Sequence, residues 1–383
     1  MTDIIWPAMP ADVADVEFLS VISRPDETSE SCTTFYPNAM TDFTVAPLSF
    51  PSDFERFFWS HTNIMTHIYN ELSLPALMAL SFAQKQIFLD VADYQAVKIS
   101  RLLLPFHIHY DQLLNALRTS RAIVVGSFAL LCSIPLASSF SVTSIDFAIV
   151  DGRNHLDFLA SIAPHLSFVP KAETLGPFPP AHPVKSLHSF AIVLDGQALA
   201  IDVNIMVVGW HPEGSSMYES LFYSPTSCGM NALSGNGIFS AYRRLLASSI
   251  GIVNDIHRSS IFQGRQNEDI AHQLAYDNVS RHKYKLRGFF FPNPHFLHQP
   301  SVICEKDLSC PSTIRNVRNR GCAHMRIFSN SEIRNLTRCF SLYAGVSFDV
   351  SAPLIPFTIW RLTDPVSNSA NSVMSPDIVC TFS

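Results

Sequence analysis

Three places in this 383-residue chain carry side chains and backbone that could do chemistry together. Gly126-Ser127 ends an apolar run, Ala122 to Val125, and precedes a second apolar segment, Phe128 to Leu136. A Gly-Ser turn between a strand and a helix lets the backbone approach a ligand closely. It also aims free N–H groups outward, which favours phosphate. Asp146 stands alone among apolar residues in Ile145 to Val150, and Asp202 stands likewise in Leu199 to Val208. An acid on the strand after such a turn can hold a divalent cation that bridges phosphates, and an acid on a neighbouring strand adds to it. The plainer alternative is a buried mixed sheet with two acids at strand ends.

A basic set lies further on. Arg281, Lys283, Lys285 and Arg287 alternate with His282, Tyr284 and Leu286, and Arg315, Arg318, Arg320 and Arg326 follow. Lys283, Lys285 and Arg287 are candidates for a phosphate-contacting patch facing the Gly-Ser turn. They read equally as a solvated face, or as a dock for an acidic arm. Two other sets fail on spacing. Cys304, Cys310, Cys322 and His324 lack the short paired knuckles of structural zinc. His107 and His109 are two residues apart, so on a helix they share no face.

The elements that must position these groups follow from periodicity and turn residues. Residues 121–151 predict strand, tight turn, short helix, loop and strand. Asn154 is a candidate cap for a helix over NHLDFLASIAPHL. Ser167 to Val169 predicts a short strand. Leu187 to Leu194 and Ala198 to Val208 predict a hairpin across Asp195-Gly196, so the sheet is mixed. Residues 64–120 predict helices interrupted at Pro75 and Pro105. Residues 211–239 are Gly/Ser/Asn-rich, and Phe239 to Ile252 and Asn267 to Tyr284 predict further helices.

The expected organisation is a flexible acidic arm (1–50), a helical lead-in (51–120), an α+β sheet domain (121–210), a helical and irregular C-terminal part packed on it (211–366) and a disordered tail (367–383). Residues 1–50 hold eight acids against one base, Arg24, and residues 1–45 should be trimmed by protease without loss of the core. The net charge of −6 argues against general nucleic-acid binding. A composition that is 47% hydrophobic and 15% charged supplies ample core. Eight cysteines without pairing rhythm, and no leader-like segment at Met1 to Pro10, point to a reducing compartment, cytoplasmic or nuclear. The uncharged run from Ala122 to Ile145 is long enough to cross a membrane. Its Gly126, Pro135 and serines would need internal partners in lipid, and a soluble strand-turn-helix unit accounts for it better.

The order of Gly-Ser turn, helix, loop and two Asp-bearing strands resembles the nucleotidyltransferase fold. The resemblance implies Gly126 and Ser127 as the turn, Asp146 as one of two acids one residue apart, and Asp202 as a third acid. The partner positions hold Ser144 and Ala148, and neither gives an anionic oxygen. Paired cations about 4 Å apart need dense carboxylate charge, so the resemblance implies a degenerate metal site with weak magnesium binding. GSFAL at 126–130, SIDFAIV at 144–150, CGMNAL at 228–233 and KYKLRG at 283–288 are similar to segments of a set of fungal proteins of unassigned function. That similarity implies a shared fold more than a shared activity.

Three functions follow as expectations. The first is an inactive nucleotidyltransferase-like protein with a binding or scaffold role and a nucleotide or phosphate ligand. The second is an active metal-dependent nucleotidyl- or phosphotransferase with unusual ligands. The third is a membrane-associated protein.

Overall fold

Alternation along two strands sets the frame of the molecule. In β2 (Ser144–Val150), Ile145, Phe147 and Ile149 are buried on one face, while Ser144, Asp146 and Ala148 point to the other. In β5 (Gln197–Val208), Val203, Ile205 and Val207 bury one face and Asp202, Asn204 and Met206 line the opposite one. The two strands run parallel and adjacent, with Ser144 opposite Asp202 and Asp146 opposite Asn204. Both acids therefore lie on the same face of the sheet.

A computed structural model describes residues 62–83, 85–138, 140–171, 184–209, 218–222, 224–254, 278–292, 315–316, 321–342 and 359–360. The expected acidic arm and the disordered tail lie outside the described residues. So do Cys304, Cys310, Arg318 and Arg320, the start of the lead-in and residues 267–277 of the last expected helix.

The chain forms a mixed α/β structure around an eight-stranded sheet. Besides β2 and β5, its strands are β1 (Ile123–Val125), β3 (Ser167–Pro170), β4 (Val184–Leu194), β6 (Asn231–Ser234), β7 (Gly237–Ser240) and β9 (Ala323–Arg326). The order is β3-β4-β5-β2-β1-β6-β7-β9. A separate two-residue ladder pairs β8 (Arg315–Asn316) with β10 (Ile359–Trp360). The predicted β4–β5 hairpin is present, with Leu194 opposite Gln197. Asp195 and Gly196 both take positive φ, as a two-residue primed turn requires.

The C-terminal part differs from expectation. The helix read over Phe239 to Ile252 is a strand, β7, followed by a short helix over Arg243–Ala247. The Gly/Ser/Asn-rich stretch before it contributes β6, and the sheet continues through β7 to β9. These strands are four residues long; β6 and β7 are almost wholly buried and show no alternation, and β9 alternates over only two cycles.

Helices α1 (Thr62–Glu71), α2 (Leu74–Ser81), α3 (Lys85–Leu103) and α4 (Tyr110–Ser120) form the lead-in. They share one core with the sheet, through Leu77, Ile99, Leu103, Leu113, Val124, Phe147 and Ile205. After β1 comes α5 (Gly126–Ser133), whose residues are buried from Ser127 onward. Next along the chain, α6 (His155–Ile162) is capped by Asn154, which accepts from the Leu156 N–H. Phe158 of α6 meets Phe147 edge-on at 5.0 Å. A second cluster, including Val125, Ala148, Met230 and Phe239, occupies the other face of the sheet. No helix among the described residues is long and apolar enough to cross a membrane. The uncharged run from Ala122 to Ile145 is β1, α5 and the start of β2.

Lys98 ties the lead-in to this unit. Only 2% of it is exposed, and its ammonium donates to the Cys132 and Ile134 carbonyls at the end of α5, at 3.2 and 2.6 Å. Burial pulls its pKa from 10.5 down to about 8. The unfolded chain therefore binds the proton more tightly than the folded one. Stability carried by this group should rise as pH climbs from 8 to 10.5, by about 3 kcal/mol. Urea unfolding of the natural protein and Lys98→Met across that window checks this. The natural protein should gain on the variant as pH rises, and an unchanging gap would contradict it.

Candidate functional site

The Gly-Ser turn and Asp146 meet because β1 and β2 pair antiparallel, with Val125 opposite Asp146. The chain then turns sharply at Gly126, which has φ +68 and opens α5. A Cβ at Gly126 would lie 2.7 Å from Asp146 Oδ2, so glycine is needed for both conformation and space. The approach of turn to carboxylate is built into the backbone.

The carboxylate is held from the neighbouring strands. Ser189 Oγ on β4 donates to Asn204 Oδ1 at 2.7 Å, which leaves Asn204 Nδ2 to donate to Asp146 Oδ1, also at 2.7 Å. Burial pushes the Asp146 carboxyl above the usual carboxylate range. The Asn204 hydrogen bond, the Lys283 charge, a hydrogen bond from Ser144 and the Arg287 charge all oppose that push.

The basic residues reach the site from a helical segment over 278–286 and the turn after it. Arg287 Nη1 donates to Ser127 Oγ at 2.7 Å. Its guanidinium also lies 4.0 Å from the centre of the Phe140 ring, so two contacts fix its plane. Tyr284 is also buried, and burial pushes its phenol pKa well up, opposed in part by Ser127 and the Arg287 charge. Lys283 contributes positive charge at Asp146 while its side chain stays exposed. Lys285 is exposed as well and plays no part in the electrostatic surroundings of Asp146.

The structure thus gathers Gly126, Ser127, Asp146, Lys283 and Arg287. Asp202 is engaged elsewhere: it sits opposite Ser144 and forms an ion pair with Lys171, just past β3. The residue facing Asp146 on β5 is Asn204. Sequence reasoning missed Asn204, Ser189, Phe140 and Tyr284. Asn204 had a legible signal, because it follows Asp202 by two on a strand and so shares its face. Phe140 had none, since it lies in the loop between α5 and β2.

Paired magnesium ions, which the resemblance implies, do not fit these residues. Beside Asp146 stand an amide, a hydroxyl and a methyl, from Asn204, Ser144 and Ala148, and the positive charges of Lys283 and Arg287 act on it. Among the described residues no three His, Cys, Asp or Glu side chains converge as a metal group. Of the zinc candidates, Cys322 is buried and donates to the Ala241 carbonyl. Arg326 leans on Phe328, 5.1 Å from its ring centre.

A cavity of about 380 Å³ lies in the lead-in, lined by Tyr69, Asp90, Tyr94, Lys98 and Arg101 among others. It shares no lining residue with the Asp146 site.

No protein-family model matches the chain, and no curated protein matches it at a significant level.

Proposed function

We propose that this chain is a nucleotidyltransferase-like protein that binds a nucleotide or another phosphate ligand in a binding or scaffold role, without transferring it. The observation that carries the reading is the Gly126-Ser127 turn packed against a lone carboxylate, Asp146, whose strand neighbour is Asn204. That arrangement supplies the turn and the cationic surroundings of a phosphate site. It does not supply the carboxylate density that clamps attacking and leaving oxygens between two cations.

The supporting experiment adds back an acid. Ser144→Asp places a carboxylate two residues from Asp146, on the same face of β2 and opposite Asp202. Calorimetric titration with ATP, GTP, CTP and UTP, with and without magnesium, should show magnesium-dependent binding strengthened about tenfold in the variant. Absence of nucleotide binding in both proteins would sink the reading.

A further inference from the structure

We propose that Lys283 and Arg287 take the place of divalent cations, so that the site binds the polyphosphate group of a nucleoside triphosphate without magnesium and Asp146 acts as their counter-ion. This inference rests on the nucleotide-site reading above and departs from it on one point, the source of positive charge.

The geometry separates the two roles. A carboxylate that serves as a metal ligand must present its oxygens to open space. Asp146 instead has Oδ1 accepting from the Asn204 amide at 2.7 Å and Oδ2 turned toward Gly126, 2.7 Å from where a Cβ on that residue would lie. Asn204 is locked in the donating orientation, because its own oxygen accepts from Ser189. The positive charge near this carboxylate is already supplied by two side chains four residues apart. Arg287 is held by Ser127 on one side and by the Phe140 ring on another, and one N–H is committed to Ser127. A guanidinium has five donors, so most of the fork remains for an anion. Lys283 brings a second cation, on a residue that is exposed overall although burial of its amine lowers its pKa. Two cations against one carboxylate leave a local surplus of positive charge, which suits an anionic ligand and repels a free divalent cation.

The two accounts predict opposite signs for one isosteric change. If Asp146 ligates a metal, Asp146→Asn weakens nucleotide binding. If Asp146 is a counter-ion, the same change frees the two cations and binding tightens. ATP and inorganic tripolyphosphate are titrated calorimetrically into the full chain in EDTA and in magnesium. Thermal unfolding of each variant serves as the check on folding. Binding is expected in EDTA, at least as tight as with magnesium. It should tighten several-fold in Asp146→Asn and weaken about tenfold in Lys283→Gln, a change at an exposed position that leaves the core intact. Comparable binding of tripolyphosphate would place recognition in the phosphates, and binding of ATP alone would add a contact to the nucleoside. Binding of ATP only in magnesium, or its loss in Asp146→Asn, overturns this inference and leaves the nucleotide site standing. Absence of binding under both conditions overturns the nucleotide site and this inference with it.

Discussion

Phe128→Ala is expected to lower the unfolding free energy by about 3–5 kcal/mol, the range for removing a fully buried aromatic ring. Phe128 is 0% exposed. It projects from α5, the helix that follows the Gly-Ser turn, and its ring meets Phe106 edge-on at 5.8 Å. Phe106 belongs to the 3-10 turn that ends α3, so this contact joins the helical lead-in to the sheet. Neighbours on both sides belong to regular elements and cannot easily collapse into the space left behind, which puts the cost toward the upper part of the range. Denaturant unfolding should show a lower midpoint with an unchanged slope. Phe128→Leu, which keeps most of the volume, should lose far less. A loss below about 1 kcal/mol in the alanine variant would mean that α5 does not pack as described.

Gly126→Ala is expected to cost about 3 kcal/mol of stability, through two separate effects. At φ +68 a side chain is strained wherever it points. The added methyl would also meet Asp146 Oδ2 at 2.7 Å, closer than the atoms allow. The carboxylate must then move, which breaks its bond from Asn204. Gly196→Ala provides the control. That residue has φ +79 but nothing within 4 Å of its added methyl, so it should show only the backbone cost and a smaller loss of stability. Equal behaviour of the two variants would show that the contact with Asp146 carries no weight.

Much of this arrangement was legible in the sequence, and the reasons are physical. Asp146 and Asp202 stand out because an acid in an apolar strand is costly unless something holds it. Asp195-Gly196 marks a hairpin because few residue pairs accept two positive φ values in succession. Asn154 marks a helix start because its side chain can accept from the second N–H of the helix. What escaped has the opposite character. Strands β6 and β7 are short and almost wholly buried, so no period of two survives in them, and the alternation of β9 is only four residues long. Phe239 and its neighbours could equally have filled a helix. The division of labour between Asp202 and Asn204 is a matter of register, fixed by the pairing of Ser144 with Asp202, and register is invisible in a single strand. Arg287 stands out in the sequence by its charge, but its clamp between Ser127 and Phe140 depends on contacts across about 150 to 160 residues of chain.

In the proposed site, the lack of an acid two residues from Asp146 costs more in rate than in affinity. Each tenfold loss in rate corresponds to about 1.4 kcal/mol of lost transition-state stabilisation. A site that cannot hold two cations gives up several such factors at once. The most direct test incubates the purified natural protein with each α-labelled nucleoside triphosphate and magnesium, and follows pyrophosphate release together with transfer of label to protein, nucleic acid or small-molecule acceptors. The account predicts nucleotide bound and recovered intact, with release at the level of a protein-free control. Robust release that disappears in Asp202→Asn would contradict it, because Asp202 would then be a working metal ligand and not the partner of Lys171.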